Sequence, residues 1–391
     1  MKRFVYFFIV FLAFGNIPIS AEEPVYFADP NLKAAVEQAI WVSNPTPTDM
    51  LALTNLIAAN KGIVSLTGLE YASNLVNLSL AGNQVSDLSA LVGLTSLQTL
   101  ELGDNQISNI SALTGLTNLQ GLHLYGNQII DISAVTGLTN LQFLSLRSNQ
   151  ISNISALTGL TGLQEIQIHY NQISDISALT GLTSLKRLWL GSNQVSDISV
   201  LSGLTNLQWL SIFDNHISNI SVLSGLTNLQ WLSLHGNQIS DISALTGLIG
   251  LQRLWIGSNQ VSDISALAGL TNLEWLEISN NQIHKISALI NTTKLIILWA
   301  ENNPLNTSSH CIFIPLIKTN NPNLVNFYYD PNPNLISNDC STNSSELAIY
   351  VQHWLDSGCN VSNNWCSWAD LDHLEKVDFS NFAVFAELWL N

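Results

Sequence analysis

Tryptophan and arginine at fixed intervals carry the chemistry this chain can offer. Phe143, Arg187, Trp209, Trp231, Arg253 and Trp275 share one phase of a 22-residue spacing. Trp189, Trp255 and Trp299 stand two residues later in that spacing, and Arg147, Phe213 and His235 four residues later. Beyond Arg3 there is no other arginine, and six of the 11 tryptophans stand in these phases. Trp and Arg dominate interface hot spots because each joins a large flat contact area to a polar edge. The chemistry on offer is therefore binding of a protein partner. Aromatic rows also stack on sugar rings, so a glycan is a second ligand class. A third possibility is that the rings only stack on one another and on arginine, stiffening the scaffold.

Bond-making chemistry is not visible. His123, His169 and His235 fall on different turns of the spacing, roughly 10 Å or more apart at a strand separation of about 4.8 Å. That is too far to share a zinc ion. The chain contains no H-E-x-x-H, G-x-S-x-G or P-loop pattern. Its many Ser and Asp residues recur too often to form one active site, and Glu274 and Glu277 read as solvated rim charges. The chain is expected to be non-catalytic and without a cofactor.

The elements that position these residues follow from a second series. Asn83, Asn105, Asn127, Asn149, Asn171, Asn193, Asn215, Asn237, Asn259, Asn281 and Asn303 recur every 22 residues without drift. Together with L-x-x-L-x-L-x-x-N, that period is the signature of a leucine-rich-repeat solenoid. In Leu119–Asn127, Leu119, Leu122 and Leu124 point inward. Gly121, His123 and Tyr125 alternate with them and face out of a short parallel strand. Asn127 turns the chain and can satisfy backbone groups that a buried bend would strand. Ile129, Ile132 and Val135 fill the opposite, convex half. One coil cannot bury its own leucines, whereas a stack can. The expected fold is an α/β-class repeat solenoid, a curved array with its parallel sheet on the concave face. The tryptophans and arginines then lie together on that face, mostly in its second half.

Residues outside the period suggest how the array is closed. Lys2 and Arg3 precede an apolar run from Phe4 to Phe14 that is too short to span a bilayer. With Ile19-Ser20-Ala21 it reads as a secretory signal over residues 1–21. No later segment is long and apolar enough to span. The mature chain is expected to be secreted or retained at the cell envelope. The formal charge is −16, and loss of Lys2 and Arg3 makes it more acidic, which argues against nucleic acid and anionic membranes. Residues 22–66 form an N-terminal cap, with a short helix from Leu32 to Trp41 and a degenerate first coil in which Lys61 replaces the ladder asparagine. The repeats proper occupy 67–303. Residues 304–340 form a closing cap in which Pro315 interrupts the chain. All four cysteines lie beyond the repeats and can oxidise after export. We expect Cys311–Cys340 to pin the closing cap and Cys359–Cys366 to staple the tail, with zinc as the rival reading.

The phrase N-Q-I-S-D-I-S-A-L-T-G-L-T-N-L-Q recurs with little change, and on it residues 53–303 resemble the bacterial leucine-rich repeats of the internalin type. D-P-N-L-K-A-A at Asp29–Ala35 looks like the helical cap that precedes such arrays. The resemblance implies an exported binding module that meets an extracellular or cell-envelope protein through its concave sheet. Residues 341–391 carry two similar apolar nonamers, Leu347–Leu355 and Phe382–Leu390, each spaced for one helix face. Between them, Asp370–Asn381 looks like a worn dockerin calcium loop. Such a loop implies a small helical hairpin and assembly through the tail, with at most a weak calcium site at Asp370 and Asp372.

Overall fold

The computed structural model describes residues 22–330. Within them, thirteen three-residue strands form one parallel sheet in strict chain order. It starts at β1 (Asn55–Ile57), continues through β2 (Asn77–Ser79) to β12 (Ile297–Trp299), and ends at β13 (Asn326–Tyr328). From β1 to β12 each residue pairs with the one 22 places on, as in Leu78↔Leu100 and Leu210↔Leu232. The period read from the sequence is thus the hydrogen-bonded register. The array is a curved leucine-rich-repeat solenoid with a helical N-terminal cap.

Leucines and isoleucines of every coil fill a single core. Leu119, Leu122, Leu124 and Ile129 are all 0% exposed, and their counterparts along the stack are likewise buried. On the convex side most coils contain a single 3-10 turn, Ser111–Leu113 being typical. The tight turn suits a coil with too few residues for an α-helix. An Asp or Asn two residues earlier caps it: Asp131 Oδ1 accepts the Ser133 N–H at 2.8 Å and Asn109 does the same for Ser111.

The ladder asparagines hold neighbouring coils together through the backbone rather than through one another. Asn105 Oδ1 accepts the N–H of Val85 at 2.9 Å, and its Nδ2 donates to the carbonyls of Leu80 and Leu102. Val85 and Leu80 belong to the preceding coil, so the amide of Asn105 bridges two coils while only 8% exposed. At the first coil Asn83 serves the N–H groups of Lys61 and Ile63, which is why Lys61 needs no amide of its own.

Helix α1 (Pro30–Ile40) covers the open end of the core with Leu32 and Val36, and the short α2 (Pro47–Met50) follows it. Asp29 is its N-cap, accepting from Asn31 and Leu32 through Oδ1. Its other oxygen accepts from Val64 and Ser65 of the first coil. Burial acts to raise the Asp29 pKa, but these four backbone donors outweigh it and hold the carboxyl below its ordinary value. A lowered folded-state pKa gives stability that is complete above the unfolded value of about 3.9 and is lost as pH falls through the folded one. Asp29→Ala is therefore expected to cost about 2–3 kcal/mol at pH 7, for a lost cap and charge-assisted bonds. The gap between variant and wild type should narrow at pH 3, as read by urea unfolding. An equal gap at both pH values would show that the charge contributes nothing.

The closing cap differs from expectation. After β12 the chain makes a wide helical turn at Ser309–Phe313 and enters α3 (Ile314–Asn320). Pro315 does not interrupt this segment. It sits in the first turn of α3, where its missing N–H leaves no intrahelical bond unmade. The expectation of a disulfide-pinned cap is corrected to what the described residues show: no disulfide joins two of them, Cys311 being the one cysteine they include. There the cap is closed by amides. Asn321, 2% exposed, accepts the Leu295 N–H at 2.7 Å and donates to Ile317 O, while Asn320 donates to Ile290 O. A polar closure works because the last coil leaves backbone groups unpaired that a side-chain amide can reach. Cys340, Cys359, Cys366, the helical tail and the calcium reading at Asp370 and Asp372 lie outside the described residues.

Candidate interaction surface on the concave sheet

Strands β7 (Arg187–Trp189), β8 (Trp209–Ser211), β9 (Trp231–Ser233), β10 (Arg253–Trp255) and β11 (Trp275–Glu277) place Arg187, Trp209, Trp231, Arg253 and Trp275 side by side in one row. The rings do not stand apart. Trp189 meets Trp209 at 5.8 Å, and Trp209 stacks on Trp231 at 4.2 Å with 14° between planes. Trp231 then meets Trp255 at 4.9 Å, and Trp255 meets Trp275 edge-on at 6.1 Å. Five indoles thus make one continuous ladder that crosses between rows. The crossing is possible because Ser211 and Ser233 stand where a larger side chain would block it. They are 1% and 7% exposed, covered in the space where the rings lean. Each stacked pair contributes about 0.5–1.5 kcal/mol beyond its burial. Trp209 Nε1 is buried within the ladder without a hydrogen-bond acceptor, an imperfection that buried polar groups rarely show.

The cations are arranged around this ladder. Arg253 lies over the Trp275 ring at 4.3 Å. Arg187 gives its Nε to Glu165 at 2.5 Å, yet the side chain is 52% exposed and the guanidinium has further N–H donors. Trp299 lies beyond the ladder, 37% exposed. His235 joins Glu277 at 3.3 Å.

Glu277 is not the solvated rim charge expected from the sequence. It is 4% exposed and accepts from Gly257 N at 2.8 Å, from the N–H and hydroxyl of Ser279, and from His235. Burial acts to raise its pKa, but these donors prevail and keep it lowered. The hydrogen bond to Glu277 in turn raises the pKa of His235 against the effect of burial. Gly257 is needed there, because a Cβ would strike the carboxylate.

Phe143 and Arg147 belong to a second, separate cluster nearer the N-terminus. His123 stacks on Phe143 at 4.3 Å, and Arg147 covers the Tyr125 ring at 4.4 Å. Gly103 and Gly191 seat Tyr125 and Phe213, since a Cβ at either would meet the ring. His169 lies beside them with its pKa pushed down to about 4, first by burial and then by Arg147, so it is neutral at physiological pH.

Tyr170 is the residue the sequence reading missed. The position before each ladder asparagine turns through the left-handed region, and its other copies are Gly, Asp, Ser or Asn. Tyr170 adopts φ 57 there while 52% exposed, its ring edge-on to Phe213 at 5.9 Å. A bulky residue at positive φ is a costly exception. The signal was an aromatic where the turn calls for a small polar residue. Tyr170→Asn is expected to raise stability by about 0.5–1 kcal/mol, a higher Tm in a thermal melt. A lowered Tm would show that the ring contact outweighs the strain.

Among the described residues no group of His, Cys, Asp and Glu could hold a metal, and no helix is long and apolar enough to cross a membrane. An aromatic face on a leucine-rich-repeat array defines a class of recognition protein, and known proteins narrow it. The family described as Leucine Rich repeats (2 copies) matches residues 73–115, 117–159, 161–203 and 227–269. An internalin of Listeria monocytogenes, InlF, is 32% identical, with a TM-score of 0.76 over 83% of this chain and 97% of that one. The functional domain of InlJ from the same organism, which includes a cysteine ladder, is 22% identical with a TM-score of 0.64 over 78% and 70%. A leucine-rich-repeat protein of Leptospira interrogans is 22% identical, TM-score 0.54, over 69% and 82%. These last two share the fold. No curated protein matches the chain. The chain belongs to the internalin family of leucine-rich-repeat proteins. It is non-catalytic and of the secreted or cell-surface kind, with a tryptophan-rich concave face consistent with protein–protein recognition.

Proposed function

We propose that this chain recognises an extracellular or cell-envelope protein through β7 to β12, with Trp209 and Trp231 at the centre. The observation that carries the reading is the indole ladder flanked by Arg187 and Arg253 on one face of an otherwise acidic chain. Arginine beside preorganised aromatic area suits a partner that presents carboxylates next to apolar side chains. Residues 67–303 would be the recognition module, with 22–66 and 304–340 as its caps. Phe143, Arg147, Phe213 and His235 would contribute at the periphery. A glycan is disfavoured by the ring packing: the faces of Trp209 and Trp231 are spent on each other, leaving edges where a sugar needs a face.

The test uses the mature chain as bait against solubilised surface proteins, beside a Trp209→Ala/Trp231→Ala variant, with any captured protein purified and its affinity measured for both. Equal affinity would refute the assignment, and a glycan-array signal lost in the variant would move it to sugars. The dockerin-like resemblance of residues 341–391 supports a competing role in assembly through the tail. Under that reading, deleting 341–391 abolishes association and the tryptophan variant leaves it intact.

A further inference from the structure

We propose that the rim where the strands begin carries a second binding site: a polar cleft before β5 (Phe143–Ser145), β6 (Glu165–Gln167) and β7 that takes a carboxylated sugar. The site is separate from the indole ladder and does not rest on the reading of that face.

The cleft exists because a second amide ladder breaks there. On this rim Asn118, Asn140, Asn206 and Asn228 each donate Nδ2 to the carbonyl 23 residues earlier, at 2.8–2.9 Å. Gly162 and Ser184 replace that asparagine in two successive coils. At Ser96 and Gly250 the gap is only one coil wide. Thr139 and Thr161 therefore keep carbonyl oxygens that no donor among the described residues meets. A Cβ at Gly162 would lie 3.3 Å from Thr139 O and 3.2 Å from Leu141 O, so the floor is bare backbone. The cleft measures about 570 Å³, and Asn140 and Asn206 bound it. That volume is in the range of small-molecule sites.

The wall on the sheet side supplies donors. Lys186 stands where the coils from Gln98 to Gln252 otherwise carry glutamine. Its Nζ donates to Gln164 Oε1 at 3.2 Å, and Gln164 Nε2 donates to Gln142 Oε1 at 3.5 Å. The chain of bonds runs one way, away from the cation. It leaves Gln142 its Nε2 hydrogens and Lys186 two further N–H groups for a ligand. No carboxylate lines the cleft, and neither does an aromatic ring or a leucine. A ligand is therefore held by hydrogen bonds. The positive wall suits a carboxylate, and the neutral carbonyls of the floor suit hydroxyl donors. A sugar acid carries both groups on one rigid ring.

Saturation-transfer NMR on the mature chain tests this, with trigalacturonic acid and sialyllactose as probes for the two sources of such a group. At least one is expected to show transfer. Gly162→Asn/Ser184→Asn rebuilds the ladder with the residue the neighbouring coils carry. It should abolish the signal with an unchanged or higher Tm. Lys186→Gln, at the exposed end of the wall, should cut the signal at least fivefold. The Trp209→Ala/Trp231→Ala variant should keep it in full. No transfer to the wild type from either probe, or a signal that survives the rebuilt ladder, would overturn the proposal. So would a methyl ester of trigalacturonic acid that binds as well as the acid. The tryptophan face takes no part in this assay, so its failure leaves the recognition reading to its own test.

Discussion

Asn215→Ala is expected to lower the stability of the array by about 3–5 kcal/mol, a large loss for one polar side chain. Asn215 is 5% exposed and makes four hydrogen bonds. Its oxygen accepts Val195 N–H at 2.9 Å, and its Nδ2 donates to the carbonyls of Leu190, Ile212 and Phe213. Val195 and Leu190 lie in one coil, Ile212 and Phe213 in the next. Alanine would strand a buried N–H and uncouple two neighbours in a structure stabilised mainly by nearest-neighbour contacts. Urea unfolding should show the loss, and hydrogen exchange should accelerate first around residues 190–215. The same change at Asn149, which is only half-buried, should cost less because water can reach the stranded groups. A loss below about 1 kcal/mol at Asn215 would mean that leucine packing alone holds the coils together.

The second large effect is on recognition. Trp209→Ala/Trp231→Ala is expected to weaken partner binding about 100- to 1,000-fold, on the scale of two central hot-spot residues. The variant should lose about 1–3 kcal/mol of stability, because a stacked pair and the cover over Ser211 and Ser233 disappear. The leucine core beneath them is untouched: Leu210 and Leu232 are each 0% exposed. Asn215→Ala and the tryptophan pair should thus separate, the first acting mainly on stability and the second mainly on affinity. Binding is compared by interferometry at a temperature where all proteins are folded. An affinity loss no greater than the stability loss would assign the indoles to scaffolding.

Much of the candidate site was legible in advance because a strand has only two faces. Once Asn83 to Asn303 set the period, Arg187, Trp209 and Trp231 had to face outward beside one another, and they do. What each outward side chain then touches was not legible. The turn of an indole about its χ angles is decided by the residue one coil away. Ser211 and Ser233 let the rings cross between rows, and Gly191 lets Phe213 lie flat. Glu277 was misread for the same reason: its concealment depends on Gly257, Ser279 and His235, which come from three different coils. In the closing cap the four cysteines drew the reading to a covalent pin, and the polar contacts went unseen. Amides from Asn320 and Asn321 meet the last coil, because its open backbone groups depend on where the chain turns after β12.

The sequence by itself determined the architecture, the register of the sheet and the sidedness of every strand residue. A strict 22-residue repeat permits one stacking, and a one-residue slip would turn every leucine out of the core. Only the tertiary structure decided that five tryptophans form one ladder, that Phe143 and Arg147 stand apart from it, and that Tyr170 projects from a strained turn. Those outcomes depend on side-chain rotation and contact between coils. Both are set by the volumes of neighbours distant in sequence, which periodicity does not encode.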